Sequence, residues 1–159
     1  NRLLFYDRLT QTLAQASRHY QMVAVMILDL DYFKEVNDTY GHDIGDMLLK
    51  VVSRKLAGNI RVIDTVARIG GDEFTFILPD IKSFNDVYKI IQRIFHSFSL
   101  PVSISTHQLS ISPSMGIAIF PTDSRDMETL LKYADIALYR AKDKGRNTYQ
   151  FYNPSMNPD

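Results

Sequence analysis

The apolar run MVAVMILDL, residues 22–30, is the feature that most restricts the fold of this chain. Residues 23–28 are hydrophobic without alternation, whereas a strand with one solvent-facing side alternates apolar and polar side chains. We therefore expect a strand that is covered on both faces of a sheet. The run ends at Asp29 and Asp31, and an uncompensated charge at Asp29 would cost several kcal/mol. A partner or a metal ion is predicted there.

The remaining patterns predict further strands and the helices that cover them. Glycine at a tight corner favours a hairpin turn, so TVARIGGDEFTFILP is interpreted as two strands joined by a turn. The other predicted segments are helices over 9–17, 32–42 (closed by Gly41), a following stretch with Asp43 as its N-cap, 84–97 and 126–144, and strands within 103–121 and over 148–152. This order predicts an α/β (α+β) fold with a central, mainly antiparallel sheet and helices packed on it.

Composition excludes several classes of function. Lys+Arg and Asp+Glu both total 18, so the formal net charge is zero, and general attraction to nucleic acid or to an anionic membrane is not expected. The chain has no cysteine, which excludes disulfides, thiolate catalysis and zinc–thiolate sites. No apolar run approaches the roughly 20 residues that cross a bilayer. We expect a cytoplasmic domain without contact to nucleic acid or membrane, whether or not its parent protein is membrane-tethered.

The acidic residues allow a chemical and a simpler interpretation. Asp29 at a strand end and Asp72 at the hairpin corner would suit magnesium, which takes oxygen ligands and leaves positions open for substrate phosphates. Taken alone, Asp31 is better explained as the N-cap of the next helix, and Gly-Gly-Asp-Glu as a solvated turn. The phosphate-loop patterns GxxxxGK[ST] and GxGxxG are absent from the sequence. Single residues therefore support only a metal-assisted phosphate site.

Other candidates have structural explanations of the same kind. An acid such as Asp46 in a first helical turn is stabilised by the helix dipole, and so are cations such as Lys142 and Arg146 near a helix end. His42 fits a solvent-facing turn residue. The pair Arg61 and Asp64, in RVID, fits a surface ion pair three residues apart.

Four stretches taken together carry more information: LDLDYFKEVNDTYGHDIGD (28–46), RIGGDEF (68–74), SMGIAIFP (114–121) and ADIALYRAKDKGRNTYQFY (134–152). In their order and spacing they closely resemble the GGDEF family, the diguanylate cyclase catalytic domain. The resemblance implies a ferredoxin-like fold similar to nucleotidyl cyclases and polymerase palms. It also implies that two GTP molecules condense to cyclic di-GMP and two pyrophosphates, with Mg²⁺ as cofactor and Mn²⁺ as a substitute.

The resemblance assigns roles to individual positions. Asp29, the backbone carbonyl of Leu30 and Asp72 correspond to metal ligands, and Asp72, supported by Glu73, to the groups that deprotonate the attacking hydroxyl. Asn37 and Asp46 correspond to the guanine-contacting pair, since a carboxylate can accept both adjacent N–H donors of guanine. The other implied substrate-binding positions are Tyr32, Phe33, His42, Gly70, Gly71, Lys142 and Arg146.

The family also has an inhibitory RxxD site, which Arg61 and Asp64 match in position. Such a site binds the product, with arginine contacting guanine edges and phosphates. A further arginine usually helps from the next helix. Arg93 occupies that place only if one residue is inserted in the preceding segment.

The symmetry of the product implies a partner. Cyclic di-GMP is two-fold symmetric and one domain holds one GTP, so we expect a catalytic homodimer. We assign residues 1–152 to the GGDEF domain and 153–159 to an exit segment, because the ending resembles junctions to an EAL domain; an upstream sensor domain is a further expected partner. The alternatives are a catalytically silent module that binds GTP or cyclic di-GMP, and a structural dimerisation domain. Retention of Asp29, Asp72 and Glu73 favours the enzyme.

Overall fold

The computed structural model describes residues 1–157. Its elements in chain order are α1 (Arg2–Arg18), β1 (Met22–Leu30), α2 (Phe33–Tyr40), α3 (His42–Ala57), β2 (Thr65–Gly70), β3 (Glu73–Ile81), α4 (Phe84–Ser97), β4 (Val102–Ile104), β5 (His107–Leu109), β6 (Pro113–Phe120), α5 (Met127–Asp143), β7 (Tyr149–Phe151) and a short 3₁₀ helix (Pro154–Met156).

The central sheet has five strands in the order β2-β3-β1-β6-β7, and β4 and β5 form a separate two-stranded hairpin. Strand β1 is antiparallel to both of its neighbours, β3 and β6, and β2 is antiparallel to β3, whereas β6 and β7 run parallel. The prediction of a mainly antiparallel sheet with packed helices is confirmed.

Both faces of β1 are covered, which explains its unbroken apolar sequence. Ala24, Met26 and Leu28 pack in a core with α2, α3 and α4, whereas Val23 and Ile27 pack in a second core with α1 and α5. Full burial of one such aliphatic side chain contributes about 1.5–3 kcal/mol relative to exposure, with less for alanine. The strand end that carries Asp29 is therefore held rigidly between two layers.

Strand β6 and helix α5 approach each other closely at Gly116. A Cβ placed on Gly116 would lie 2.1 Å from the Ala134 carbonyl oxygen and 2.3 Å from the Leu138 amide nitrogen. Only glycine allows this backbone contact. The contact brings α5 against the sheet, and the last turn of α5 carries Lys142.

Two predicted helix starts differ from the structure. Helix α1 begins at Arg2 rather than near residue 9, because the Asn1 side chain accepts hydrogen bonds from the amides of Leu3 (2.9 Å) and Leu4 (3.3 Å). The N-cap assignment of Asp43 is wrong: the N-cap of α3 is Gly41, two residues earlier, at φ 92°. Glycine reaches that angle without steric cost and turns the chain directly from α2 into α3.

The segment after β7 folds back onto α5. The Tyr152 ring stacks on Tyr133 at 3.9 Å between ring centroids, and Arg140 donates a hydrogen bond to the Met156 carbonyl (3.1 Å). The described part of the predicted exit segment is thus packed against the domain, while residues 158–159 lie outside the described residues. Within residues 1–157, every helix is too short or too polar to cross a membrane.

Candidate active site

The end of β1 and the turn between β2 and β3 meet at one corner of the sheet. Asp29 on β1 is opposite Glu73 on β3 in the strand register. The Leu30 amide donates a hydrogen bond to the Asp72 carbonyl oxygen at 3.3 Å. This pairing brings the side chains of Asp29 and Asp72 together although 42 residues separate them in the sequence.

The two carboxylates strongly affect each other. Burial first, and then the nearby charge of Asp29, raise the pKa of Asp72 from 3.8 to about 6. Lys142 forms an ion pair with the Oδ2 atom of Asp29. The other oxygen of Asp29, Oδ1, is buried and has no hydrogen-bond partner among residues 1–157. A buried acceptor without a partner is costly, so this corner is suited to a positive ligand.

The donor set fits a hard divalent cation. No group of three or more metal-binding His, Cys, Asp or Glu side chains occurs within the described part of the chain. A metal held by Asp29, Asp72 and the Leu30 carbonyl would therefore take its remaining ligands from water or substrate. Magnesium is commonly bound in this way, through one or two carboxylates plus phosphate oxygens.

A cleft of about 250 Å³ opens beside these acids. Its wall carries the positions that the family resemblance linked to phosphates, and also a cation that the sequence reasoning missed, Lys34. The sequence did contain a signal for Lys34, because this cation lies in the first turn of α2, directly after the acidic end of β1. The lining residues that matter here are Leu30, Tyr32, Phe33, Lys34, Lys142 and Arg146.

Glu73 lies beside the cleft rather than on its wall. It lines a neighbouring cavity of about 410 Å³ together with Arg2, Lys132 and Asp135. Burial first, then the charges of Asp135 and Asp29, raise the pKa of Glu73, and Arg2 opposes that rise. This position separates Glu73 from the corner that Asp29 and Asp72 form, and its supporting role stays a prediction.

Asp31 has a different role from the one its sequence position suggested. The N-cap of α2 is Tyr32, in the left-handed region at φ 59°, so the N-cap interpretation of Asp31 is wrong. The Asp31 carboxylate is buried and accepts hydrogen bonds from the hydroxyls of Ser112 and Ser114, both at 2.6 Å, and from the Asn147 amide at 2.9 Å. These donors are remote in the sequence, and no local pattern indicated them.

The proposed guanine pair lies where α2 and α3 pack together. The Oδ1 atom of Asn37 is buried and is not hydrogen-bonded to any other part of the described chain. It points at Gly45, where an added Cβ would come within 1.8 Å of it. Asp46 follows Gly45 directly and is exposed, as is His42 at the start of α3. Asn37 and Asp46 therefore both lie at the contact of α2 and α3, with the Asn37 oxygen buried and Asp46 exposed.

The two glycines form an open corner above the acids. Gly71 adopts φ 51°, and its carbonyl accepts a hydrogen bond from Arg68 at 2.7 Å. A Cβ at Gly70 or Gly71 would meet no atom of the described residues within 4 Å. A ligand can thus approach the backbone of this turn.

The RxxD residues bind each other. The Asp64 side chain is fully buried and accepts from the Arg61 guanidinium (2.7 Å) and from the Arg61 amide (2.7 Å). The Arg61 guanidinium also donates to the Pro79 carbonyl at 2.6 Å. Arg93 donates to the Asn59 carbonyl at 3.3 Å. The role of all three residues in product binding stays a prediction.

The family profile described as "Diguanylate cyclase, GGDEF domain" matches residues 1–148. The chain belongs to the GGDEF family. This finding confirms the resemblance seen in the sequence, and solved GGDEF domains share the fold described above.

Individual GGDEF proteins are similar over nearly the whole chain. The bifunctional diguanylate cyclase/cyclic di-GMP phosphodiesterase MucR of Pseudomonas aeruginosa is 44% identical, over 99% of this chain and 23% of MucR. The crystal structure of the GGDEF domain of TpbB (YfiN) from the same species gives a TM-score of 0.94 at 36% identity, over 96% of each chain. An EAL/GGDEF domain protein from M. capsulatus gives 0.83 at 44% identity, over 97% of this chain and 99% of that one. The chain spans about a fifth to a third of the first curated relatives.

Proposed function

We propose that this GGDEF domain is an active diguanylate cyclase that condenses two GTP molecules into cyclic di-GMP and releases two pyrophosphates. The observation that carries the proposal is the acidic corner: Asp29 has one buried oxygen without a hydrogen-bond partner in residues 1–157 and lies beside Asp72, whose pKa is raised to about 6. A corner built only for stability would satisfy that oxygen.

The residues of the cleft account for phosphoryl transfer. Mg²⁺, or Mn²⁺ in its place, would be held by Asp29, the Leu30 carbonyl and Asp72, and would neutralise charge on the triphosphate. The ammonium of Lys142, together with Lys34 and Arg146, supplies further positive charge along the cleft wall. Reactions of this class depend mainly on positioning and on charge neutralisation.

Asp72 also has the property that a general base needs. Without a bound metal its pKa lies near 6, so Asp72 is ionised at neutral pH and has oxygens that can accept a proton. It can therefore accept the proton of the ribose 3′-hydroxyl as that oxygen attacks the α-phosphate of the other GTP. Glu73, in the adjacent cavity, would support this step through its charge.

Guanine selection is assigned to Asn37 and Asp46. Guanine presents adjacent N–H donors on its pairing edge, and an exposed carboxylate accepts both, whereas adenine offers no such pair. Asn37 is assigned a second contact to the base through its side-chain amide, and His42 and the open backbone at Gly70 and Gly71 complete the substrate-binding positions. This arrangement predicts a preference for GTP over ATP.

Catalysis requires two copies of the domain, because each supplies one GTP to a two-fold symmetric product. The names of relatives support further partners: MucR is bifunctional, and the M. capsulatus protein combines EAL and GGDEF domains. We propose a parent protein in the cytoplasm or facing it, with a sensor domain and an EAL domain. Arg61, Asp64 and, from α4, Arg93 are proposed to bind the product and inhibit the enzyme.

One assay tests the proposal directly. The purified domain is incubated with GTP and Mg²⁺, and cyclic di-GMP is measured by chromatography, beside Asp72→Ala and Asp123→Asn. Asp123 is a partly buried carboxylate remote from the cleft that accepts from the Ile119 amide at 2.7 Å, so its variant controls for general destabilisation. We expect product from the wild type and Asp123→Asn, and at least about a hundredfold less from Asp72→Ala.

The same experiment separates the alternative. GTP binding measured by calorimetry, without any product from the wild type at high protein concentration, would identify a silent regulatory module instead. Equal product from the wild type and Asp72→Ala would remove Asp72 from the mechanism.

A further inference from the structure

The backbone that carries Arg146 has an unusual conformation. Gly145, Arg146 and Asn147 all have positive φ, at 109°, 64° and 51°. Glycine adopts such angles freely and asparagine more often than most residues, but arginine populates them rarely, and consecutive residues do so only when their surroundings hold them. This turn leads from α5 to β7, and it directs Arg146 towards the cleft.

The buried carboxylate of Asp31 holds the backbone of this turn through a hydrogen bond. The Asn147 amide donates to the Oδ2 atom of Asp31 at 2.9 Å, and the Asp31 residue is only 5% exposed. The same oxygen accepts from Ser112, and the Oδ1 atom accepts from Ser114. Asp31 thereby ties the turn to the end of β1 and to the segment that enters β6.

The Arg146 side chain has a second support. Its guanidinium carbon lies 5.0 Å from the centroid of the Tyr32 ring, a cation–π contact. Tyr32 follows Asp31 directly, so the two supports come from two consecutive residues just after β1. The backbone of the turn is held by the Asp31 carboxylate, and the side chain is held by the Tyr32 ring.

We propose that Asp31 is a positioning residue for triphosphate recognition, acting through the Asn147 amide to hold Arg146 at the cleft wall. The inference rests on the proposed function, since it assumes that the triphosphate of GTP binds in this cleft. Asp31 touches neither metal nor substrate in this role. The two carboxylate oxygens of Asp31 accept all three hydrogen bonds, because each oxygen of an ionised aspartate can accept more than one.

Substitutions at two positions separate positioning from general stability. Asp31→Ala removes the acceptor of the Asn147 amide. Asp31→Asn can retain it, because its carbonyl can accept from Asn147 and Ser112 while its amide donates to the Ser114 hydroxyl. Ser114→Ala is the matched control: it disturbs the same buried cluster at Oδ1 and leaves the bond from Asn147 to Oδ2.

The decisive comparison is between ligands with and without the triphosphate. Calorimetric binding of GTP, as its α,β-methylene analogue that cannot release pyrophosphate, and of guanosine is measured in the presence of Mg²⁺ for all four proteins. We expect Asp31→Ala to weaken GTP binding at least about tenfold and to change guanosine binding less than about twofold, because only the triphosphate needs Arg146. Asp31→Asn and Ser114→Ala should stay within about threefold of the wild type for both ligands. Equal losses for GTP and guanosine, or no loss for GTP, would overturn the proposal.

Amide hydrogen exchange without nucleotide supplies a readout that is independent of the proposed function. The Asn147 amide should exchange at least about tenfold faster in Asp31→Ala than in Ser114→Ala, relative to amides in β1. If the wild type bound no GTP, the proposed function would fail, while this exchange result would still decide whether Asp31 holds the turn. Unchanged Asn147 exchange in Asp31→Ala would contradict the positioning role by itself.

Discussion

At the scale of single residues, the two oxygens of Asp29 have different surroundings, and this difference favours a cation in the cleft. One oxygen is paired with Lys142, and Oδ1 has no partner elsewhere in residues 1–157. We expect Asp29→Asn to raise the Mg²⁺ concentration needed for half-maximal GTP binding by at least about tenfold, because a neutral amide is a weaker ligand for a hard cation. Calorimetric titration at fixed GTP checks this, with Asp123→Asn as control. An unchanged Mg²⁺ dependence would mean that Asp29 is not a metal ligand.

Asp72 leads to a prediction about pH. Its pKa rises from 3.8 to about 6 on folding, so between these values the folded state binds more protons than the unfolded state. The free energy of unfolding of the metal-free domain should therefore fall as pH rises through this range. Urea unfolding at about pH 4 and about pH 7 measures it, and Asp72→Asn should reduce the difference between the two conditions. A variant with the same pH dependence as the wild type would show that Asp72 is not responsible.

Arg61 gives a prediction for product inhibition. Its guanidinium already binds Asp64 and the Pro79 carbonyl, so the product would have to share or replace these contacts. We expect Arg61→Ala to raise the cyclic di-GMP concentration for half-inhibition by at least about tenfold, the equivalent of one charge-assisted hydrogen bond. Initial rates with added product measure this. Arg93→Ala, tested in parallel, shows whether that arginine belongs to the same site, and full inhibition of Arg61→Ala would contradict the RxxD assignment.

At the scale of elements, the contact between β6 and α5 determines where the cations lie. Because a Cβ on Gly116 would overlap the backbone of α5, Gly116→Ala should lower the free energy of unfolding by about 1–3 kcal/mol or more. Gly70→Ala is the matched control, since a Cβ there meets no atom of the described chain within 4 Å; its effect on unfolding should stay within about 1 kcal/mol. Urea unfolding measures both. Equal effects would show that the close contact is not needed.

Element boundaries show what local sequence can predict. The helix predicted over 84–97 and the hairpin over 65–79 agree with α4 and with β2 and β3, because periodicity and turn chemistry are carried by neighbouring residues. The start of α1 and the cap of α3 were predicted wrongly. The side chain of Asn1 caps α1, for which the sequence pattern had indicated no cap, and Gly41 caps α3 in place of the predicted Asp43.

At the scale of the whole molecule, the proposed reaction needs two domains. If both half-sites are required, mixing equal amounts of wild type and Asp72→Ala at constant total protein should reduce the rate to about a quarter of the wild-type value, because only pairs of intact domains are productive. A domain that acted alone would retain about half. Measurement of cyclic di-GMP formation at several protein concentrations checks this, and a rate per domain that does not depend on concentration at the lowest levels would contradict a transient dimer.

By itself the sequence determined the fold class and the family. The unbroken apolar strand requires cover on both faces, and four motifs in order identify a GGDEF domain, because these signals lie in contiguous residues. Only the tertiary structure decided what the acids contact. Strand register brings Asp72 to Asp29, and one oxygen of Asp29 is buried without a hydrogen-bond partner within the described part of the chain. Packing of β6 and the turn after α5 makes Asp31 a buried acceptor for Ser112, Ser114 and Asn147. These contacts join residues 81 to 116 positions apart, and no local pattern encodes such pairings.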